Sequence, residues 1–340
     1  MKGIICKEAG RFVMRDDLPE PVRGEGEAIV AIRRIGICGT DLHAYQGNQP
    51  YFAYPRILGH ELSGIIEQIG DNQEGLKVGD QVSIIPYLHC GHCAACLRGK
   101  TNCCRSMRVL GVHLDGGMRE RIAVPVSHLI RTEELSLDQA ALLEPLAIGA
   151  HALRRAGLQS GARALVIGAG PIGLGVMALA EALGAEVAAM DVNAERLVFA
   201  KQWAKASCTV TASSEAAKER LLDWNGGELP SVVFDATGSL RSMSDAFDLV
   251  GHGGTLVYVG LANGDITFND PHFHARELSL LGSRNATRED FNDVIEAVTN
   301  ANIDLNAYIT HRCAFERLTE QFDEWLKPET GVIKAIVEIN

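Results

Sequence analysis

Short apolar runs recur through the first third of the chain, each interrupted by glycine, proline or charged residues. Ala28–Ile32, Leu62–Gly70 and Val78–Ile85 read as strands, and Leu18–Val22, with its two prolines, is a break before the first of them. Val109–His113, followed by Asp115, Gly116 and Gly117, reads as a strand leading into a tight turn. Many short strands joined by glycine-containing turns predict a small barrel-like β domain. The pattern changes near Ala150. Ala164–Ile167 is a continuous apolar run, as expected of a strand buried on both faces. A glycine turn, a helical stretch over Leu174–Leu183 and a second apolar strand, Glu186–Met190, follow it. Val232–Gly238, Gly254–Gly260 and Leu278–Gly282 continue the strand series, and helical stretches such as Met243–Val250 alternate with them, as right-handed crossovers require. Asp290–Thr299 reads as a helix, and Val332–Ile339 as a final strand that rejoins the first domain. The expected class is α/β: a β-barrel-type domain joined to a doubly wound parallel sheet.

Composition narrows the function classes. At 340 residues the chain exceeds one ordinary core, which predicts two domains. A hydrophobic share of 46% excludes a disordered protein. No apolar run has the length of a bilayer span, and Met1-Lys2-Gly3-Ile4 carries no secretory pattern. A formal charge of −11 disfavours nucleic acid and anionic membranes as partners, while a local basic pocket for a small anion stays open. The nine cysteines are an odd number, which argues against a pure disulfide framework, and five of them crowd into Cys90–Cys104. Such a cluster without an export signal points to metal and to the cytoplasm.

Candidate chemistry begins with Gly36-Ile37-Cys38-Gly39-Thr40-Asp41-Leu42-His43 and Leu58-Gly59-His60-Glu61. Thiolate, imidazole and carboxylate are the ligand types zinc accepts, and three protein ligands with an open position define a catalytic site. The plainer alternative is a set of unrelated core and loop residues. Cys90, Cys93, Cys96 and Cys104 have the spacing of a closed four-thiolate zinc site, with Cys103 spare and His92 facing solvent. Glu144 is one acid in a strongly apolar stretch, Ala140–Ile148, so it needs compensation from the helix N-terminus beside Pro145 or from a metal. Gly168-Ala169-Gly170-Pro171-Ile172-Gly173 stands between strand and helix, and the next strand ends at Asp191: the dinucleotide fingerprint in its required context. Asp191 at the ribose hydroxyls would repel a 2′-phosphate, which predicts NAD over NADP. Arg196, Thr237 and Gly260 are assigned with the fingerprint residues to cofactor binding, the last two lying at strand ends where such a sheet holds its ligand.

Together these motifs resemble the medium-chain, zinc-dependent alcohol dehydrogenase family over essentially all 340 residues. The resemblance implies a GroES-like catalytic domain (1–148 and 287–340, with a structural-zinc lobe at about 88–106) and a Rossmann NAD-binding domain (149–286), the active site lying between them. It implies two zinc ions per chain. Cys38 and His60 would hold the catalytic one, Glu61 and Glu144 would complete or flank its shell, and Cys90, Cys93, Cys96 and Cys104 would hold the other. Thr40 would take the substrate hydroxyl proton and hand it to His43. In the ethanol enzymes of the family a cysteine stands where this chain has Glu144, so the glutamate resembles the polyol, threonine and sugar-acid branch. Whether it meets the metal directly, through water or only without substrate stays open.

Within that branch the resemblance to one sugar-acid member rests on Gly47-Asn48-Gln49-Pro50, Tyr54-Pro55-Arg56, Gly111-Val112-His113 with Asp115-Gly116-Gly117, and Gly282-Ser283-Arg284-Asn285-Ala286-Thr287. The Gly-Val-His-x-Asp-Gly-Gly piece is common to several sugar-acid relatives and discriminates less. Asn48, His113, Arg284 and Asn285 are therefore the substrate candidates; a lone histidine near a turn such as His113 is more often structural, and Arg284 suits a carboxylate and equally a cofactor or subunit contact. The implied reaction is oxidation of a six-carbon aldonate at the carbon next to its terminal hydroxymethyl group. Polyols, other aldonates and threonine are the alternatives within the family. Outside it stand a zinc-free quinone-reductase-like enzyme and a non-catalytic NAD-binding protein. Members are commonly homodimers or homotetramers.

Overall fold

The computed structural model describes residues 1–49, 52–212, 216–301 and 303–340. Pro50, quoted above, lies outside them. The chain divides into two compact units, Met1–Glu144 with Leu305–Asn340, and Pro145–Asp304. The second crossing falls later than the expected 286/287, because helix Arg288–Asn300 is tied by Asp290 to His151 and Arg154 of the second unit.

The first unit is built on a seven-stranded sheet, running Ile309–Ala314, Lys334–Glu338, Glu27–Ile37, Glu61–Ile69, Gln81–Ile84 and Leu129–Arg131, with Arg121–Pro125 also paired to Glu27–Ile37. Glu27–Ile37 is the axis. Its residues alternate poorly between faces because both are covered, and Ile29, Val30, Ile32 and Ile35 are each buried. The last strand, Lys334–Glu338, joins it antiparallel with Ala335 opposite Ile37. This pairing brings the C-terminus beside the segment that carries Cys38.

Two expected strands are shorter than the apolar pattern suggests. Val78 lies in a turn closed by Asp80, which accepts from the Lys77 N–H, so pairing begins only at Gln81. After Arg108–Val109 the chain turns, with the Gly111 N–H on the Leu114 carbonyl. The helix expected over Met243–Val250 instead begins at Leu240, capped by Ser239, and tightens into a 3₁₀ turn over Ala246–Leu249.

The second unit holds a six-stranded parallel sheet in the order Cys208–Thr211, Glu186–Asp191, Arg163–Ile167, Val232–Asp235, Thr255–Tyr258, Ser279–Gly282. Its strand order reverses beside Arg163–Ile167, which is where a doubly wound sheet opens a crevice at its strands' carboxyl ends. Leu165, Val233, Leu256 and Val210 form its core with Phe247 and Leu221. No helix among the described residues is long and apolar enough to cross a membrane.

Candidate active site

Cys38 stands at the end of the axial strand and begins helix Gly39–Gln46. Asp41, fully enclosed, ties this corner to the next ligand segment. Its Oδ2 accepts from the Cys38 N–H at 3.0 Å, its Oδ1 accepts from the Gly59 N–H at 3.2 Å, and the same Oδ1 lies 3.7 Å from His60 Nδ1. One carboxylate thus sets the thiol and imidazole against each other. A carboxylate behind a histidine is the usual outer partner of a metal-binding ring. Gly36 is needed for a separate reason: it pairs with Glu61 across the sheet, and a Cβ there would fall 2.0 Å from Glu61 Oε2.

The ligand atoms of Cys38, His60 and Glu61 lie within 4.8 Å of one another. His60 Nδ1 is buried and has no hydrogen-bond partner among the described residues. Burial opposes a charge on His60, but Asp41 and Cys38 outweigh it and hold its pKa well above the ordinary value. Glu144 sits in the first turn of helix Leu143–Ala156, buried, and receives a hydrogen bond from the Tyr87 hydroxyl. Burial pushes the Glu144 carboxyl up to about 7, helped by Glu61 and opposed by His60. Lys334, 1% exposed, donates to both oxygens of Glu61 and to the Ile37 carbonyl. Three buried carboxyls and a thiol therefore share this corner with one buried ammonium, Lys334, and one imidazole, His60. With Asp41 behind Nδ1, the other ring nitrogen is left for a ligand, and a cation bound by Cys38 and His60 answers the excess of acid, so the residues fit a zinc ion.

Around the same point, Asp41, Tyr87, Lys334 and Tyr308 were assigned no role from sequence. Lys334 had a signal, as the one charge inside the apolar run Val332–Val337. Tyr87 had none. Thr40 is half-buried and His43 exposed on the helix that Cys38 begins, and Asn48 is exposed just past its end. His113 accepts the Val109 N–H on Nδ1, a bond local to its turn.

The second metal candidate is compact. The sulfurs of Cys90, Cys93, Cys96 and Cys104 lie within 4.8 Å of one another, against about 3.8 Å between thiolates around tetrahedral zinc. Backbone N–H groups of Cys90 and Ser106 both point at the Cys104 sulfur at 3.3 Å. Those of Cys96 and Arg105 pull the Cys93 thiol down to about 6. Cys103 and His92 are exposed beside the cluster, and His92 Nδ1 meets the Cys90 carbonyl.

In the second unit, Gly168–Gly173 turns strand Arg163–Ile167 into helix Pro171–Ala182, with Gly170 at its N-cap. A Cβ on Gly173 would lie 1.7 Å from the Gly168 carbonyl oxygen, so only glycine lets this helix start so near the strand. Over Gly170 the space is open, with Arg196 Nη1 at 3.9 Å from a Cβ position there. Open backbone at a helix N-terminus fits a pyrophosphate. Asp191 accepts from the Ala169 N–H at 2.6 Å and the Asn193 N–H at 2.8 Å, so it also pins the glycine turn. Thr237 donates from Oγ1 to Asp235 at 2.7 Å, and the Gly260 N–H reaches the Asp235 carbonyl at 3.0 Å. These groups share the carboxyl edge of the sheet. Arg284 is exposed and Asn285 has φ 52°, just beyond the last strand.

A glycine-turn sheet and a thiol–imidazole–carboxylate cluster on a β unit define a zinc-dependent dehydrogenase, and the chain belongs to the zinc-dependent alcohol dehydrogenase family. Residues 24–134 match the model of the alcohol dehydrogenase GroES-like domain, and residues 171–300 that of the zinc-binding dehydrogenase. L-galactonate-5-dehydrogenase of Escherichia coli K12 is 42% identical over 338 residues, covering 99% of this chain and 98% of its own. The 2-dehydro-3-deoxy-L-galactonate 5-dehydrogenase of Pseudoalteromonas atlantica is 32% identical, covering 93% of this chain and 92% of its own. Among solved structures, the rspB alcohol dehydrogenase of E. coli CFT073, complexed with NADH, superposes with a TM-score of 0.91 at 28% identity, covering 100% of this chain and 99% of its own. The chain is thus an oxidoreductase that uses zinc and NAD.

Proposed function

We propose that the chain oxidises the C5 hydroxyl of L-galactonate or a closely similar six-carbon aldonate, giving the keto-aldonate and NADH. The observation that carries this reading is full-length likeness, at 42% identity, to an L-galactonate-5-dehydrogenase. Glu144 in place of a third ligand cysteine agrees with it.

In this reading Cys38 and His60 hold the catalytic zinc, and Cys90, Cys93, Cys96 and Cys104 hold the structural one. When bound, zinc supplies Lewis-acid polarisation of the substrate oxygen and NAD the hydride acceptor. Asp41 fixes the imidazole ring, and Lys334 holds both oxygens of Glu61 in place. Thr40 takes the hydroxyl proton and passes it toward exposed His43, which releases it to water. Asp191 selects NAD by its charge, with Arg196, Thr237 and Gly260 along the same sheet edge. Asn48, His113, Arg284 and Asn285 are the substrate candidates, Arg284 as the partner of the aldonate carboxylate.

We also propose a homodimer or homotetramer in the cytoplasm. Among the described residues no strand pairs the outer side of the edge strand Ser279–Gly282, which exposes Leu280, and this suits pairing with a second copy. Nine free cysteines suit a reducing compartment. Steady-state kinetics on L-galactonate, L-gulonate, sorbitol and L-threonine, each with NAD and NADP, test the assignment. Turnover on the aldonates with NAD is expected; turnover on sorbitol with none on either aldonate would overturn it.

A further inference from the structure

The two glutamates near the Cys38/His60 pair are held very differently. Glu61 gives both oxygens to Lys334, at 2.7 and 2.8 Å. Glu144 gives Oε1 to the Tyr87 hydroxyl, which leaves Oε2 as the carboxylate oxygen available at this site. Tyr87 is 4% exposed and stands on a two-stranded ribbon, Tyr87–Leu88 against Arg108–Val109. That ribbon is the stem from which the four-cysteine loop leaves and to which it returns. Its backbone is pinned on both sides of the ring: the Pro86 carbonyl accepts the Leu110 N–H at 3.1 Å, and the Tyr87 carbonyl lies 3.3 Å from His128 Nε2. The phenol therefore reaches Glu144 from a braced wall.

We propose that Tyr87 is a positioning residue for the catalytic metal site, its hydroxyl holding Glu144 in the one orientation that presents Oε2 toward the ion held by Cys38 and His60. The plainer account is that a buried phenol needs an acceptor and Glu144 supplies one. The two differ in what the metal feels. A positioning hydroxyl changes the coordination of the ion when it is removed, whereas a merely satisfied phenol changes only stability.

The proposal rests on the zinc-dehydrogenase reading of this site. It is tested on the full chain with zinc retained in the four-cysteine lobe and Co²⁺ loaded at the other site. Visible absorption and chelator-driven cobalt release are compared in wild type, Tyr87→Phe, Glu144→Gln and the double variant. Tyr87→Phe is expected to shift the cobalt bands and speed release about 10–100-fold, as loss of an outer-shell partner does. The double variant should then be no worse than Glu144→Gln alone, because both changes break one coupling. Wild-type bands and release rates in Tyr87→Phe, or additive effects in the double variant, would overturn the proposal. Tyr87→Met provides a second hydroxyl-free side chain if the Phe variant does not fold. Cys38→Ser separates the two levels: if it takes up cobalt with the wild-type spectrum, the zinc reading itself fails, and the proposal with it.

Discussion

Lys334 and Glu61 are 273 positions apart in sequence and form a doubly hydrogen-bonded ion pair in the interior, 1% and 0% exposed in their side chains. Burial works against the lysine charge, but Glu61 outweighs it and raises its pKa above the usual range. Lys334→Met would leave Glu61 as an uncompensated buried charge. Removing one partner of such a pair costs about 3–5 kcal/mol. The loss should be largest in metal-free protein and smaller with zinc bound, since zinc supplies positive charge near Glu61. Denaturant unfolding with and without chelator checks both. A cost below about 1 kcal/mol without metal would mean that Glu61 does not depend on Lys334.

The four-cysteine loop gives a cleaner metal prediction. Cys104 is buried and its sulfur meets two backbone N–H groups, so a serine there removes both a thiolate and the hub of the turn. Cys104→Ser should lower zinc from about two per chain to about one, since a closed site with three thiolates no longer excludes water. Metal analysis after gel filtration reads this directly. Limited proteolysis should then cut within residues 90–104 while the rest of the chain stays protected.

What could be read in the sequence follows the range of the forces involved. The glycine turn at 168–173, the thiol pairs at 90–96 and the strand runs around Ile29 and Val166 are local patterns, and local chemistry announces them. The turns at Lys77–Asp80 and Gly111–Leu114 are set by side chains and N–H groups that interrupt apolar runs, so strands expected there end early. Asp41 lay inside a recognised motif, yet its bonds to both Cys38 and Gly59 exist only once two segments meet. Lys334 and Tyr87 act on residues 273 and 57 positions away, the first brought near by strands of one sheet and the second by a helix packed against a ribbon, relations no local pattern carries.

Asp290 makes the second unit sensitive to acid. It is fully buried and accepts from His151 at 2.9 Å, Arg154 at 2.9 Å, and Thr287 through N–H and Oγ1 at 2.7 and 2.8 Å. Burial pushes its carboxyl up, but His151 and Thr287 outweigh this and hold it below the usual range. A lowered folded pKa gives stability that is complete above the unfolded pKa and lost as pH falls through the folded one. Asp290→Asn should therefore destabilise by about 3–5 kcal/mol at neutral pH. Its difference from wild type should shrink from about pH 5 downward. Thermal unfolding at a series of pH values follows that convergence; parallel curves would show that the Asp290 charge contributes nothing.

Asp191 carries two loads that one substitution can separate. Its carboxylate pins Ala169 and Asn193 around the glycine turn, and in the proposed function it also selects the ribose of NAD. Asp191→Ala removes charge-assisted hydrogen bonds worth about 1.5–3 kcal/mol, so kcat/KM with NAD should fall about 10–100-fold. If the carboxylate acts only on the turn, NADP should lose as much as NAD, because both cofactors share the pyrophosphate cradle. If it acts on the ribose, NADP should lose less or gain, since the repulsion of a 2′-phosphate disappears with the charge. Measuring kcat/KM for both cofactors in wild type and variant decides the matter, and an unchanged ratio would reduce Asp191 to a brace for the loop.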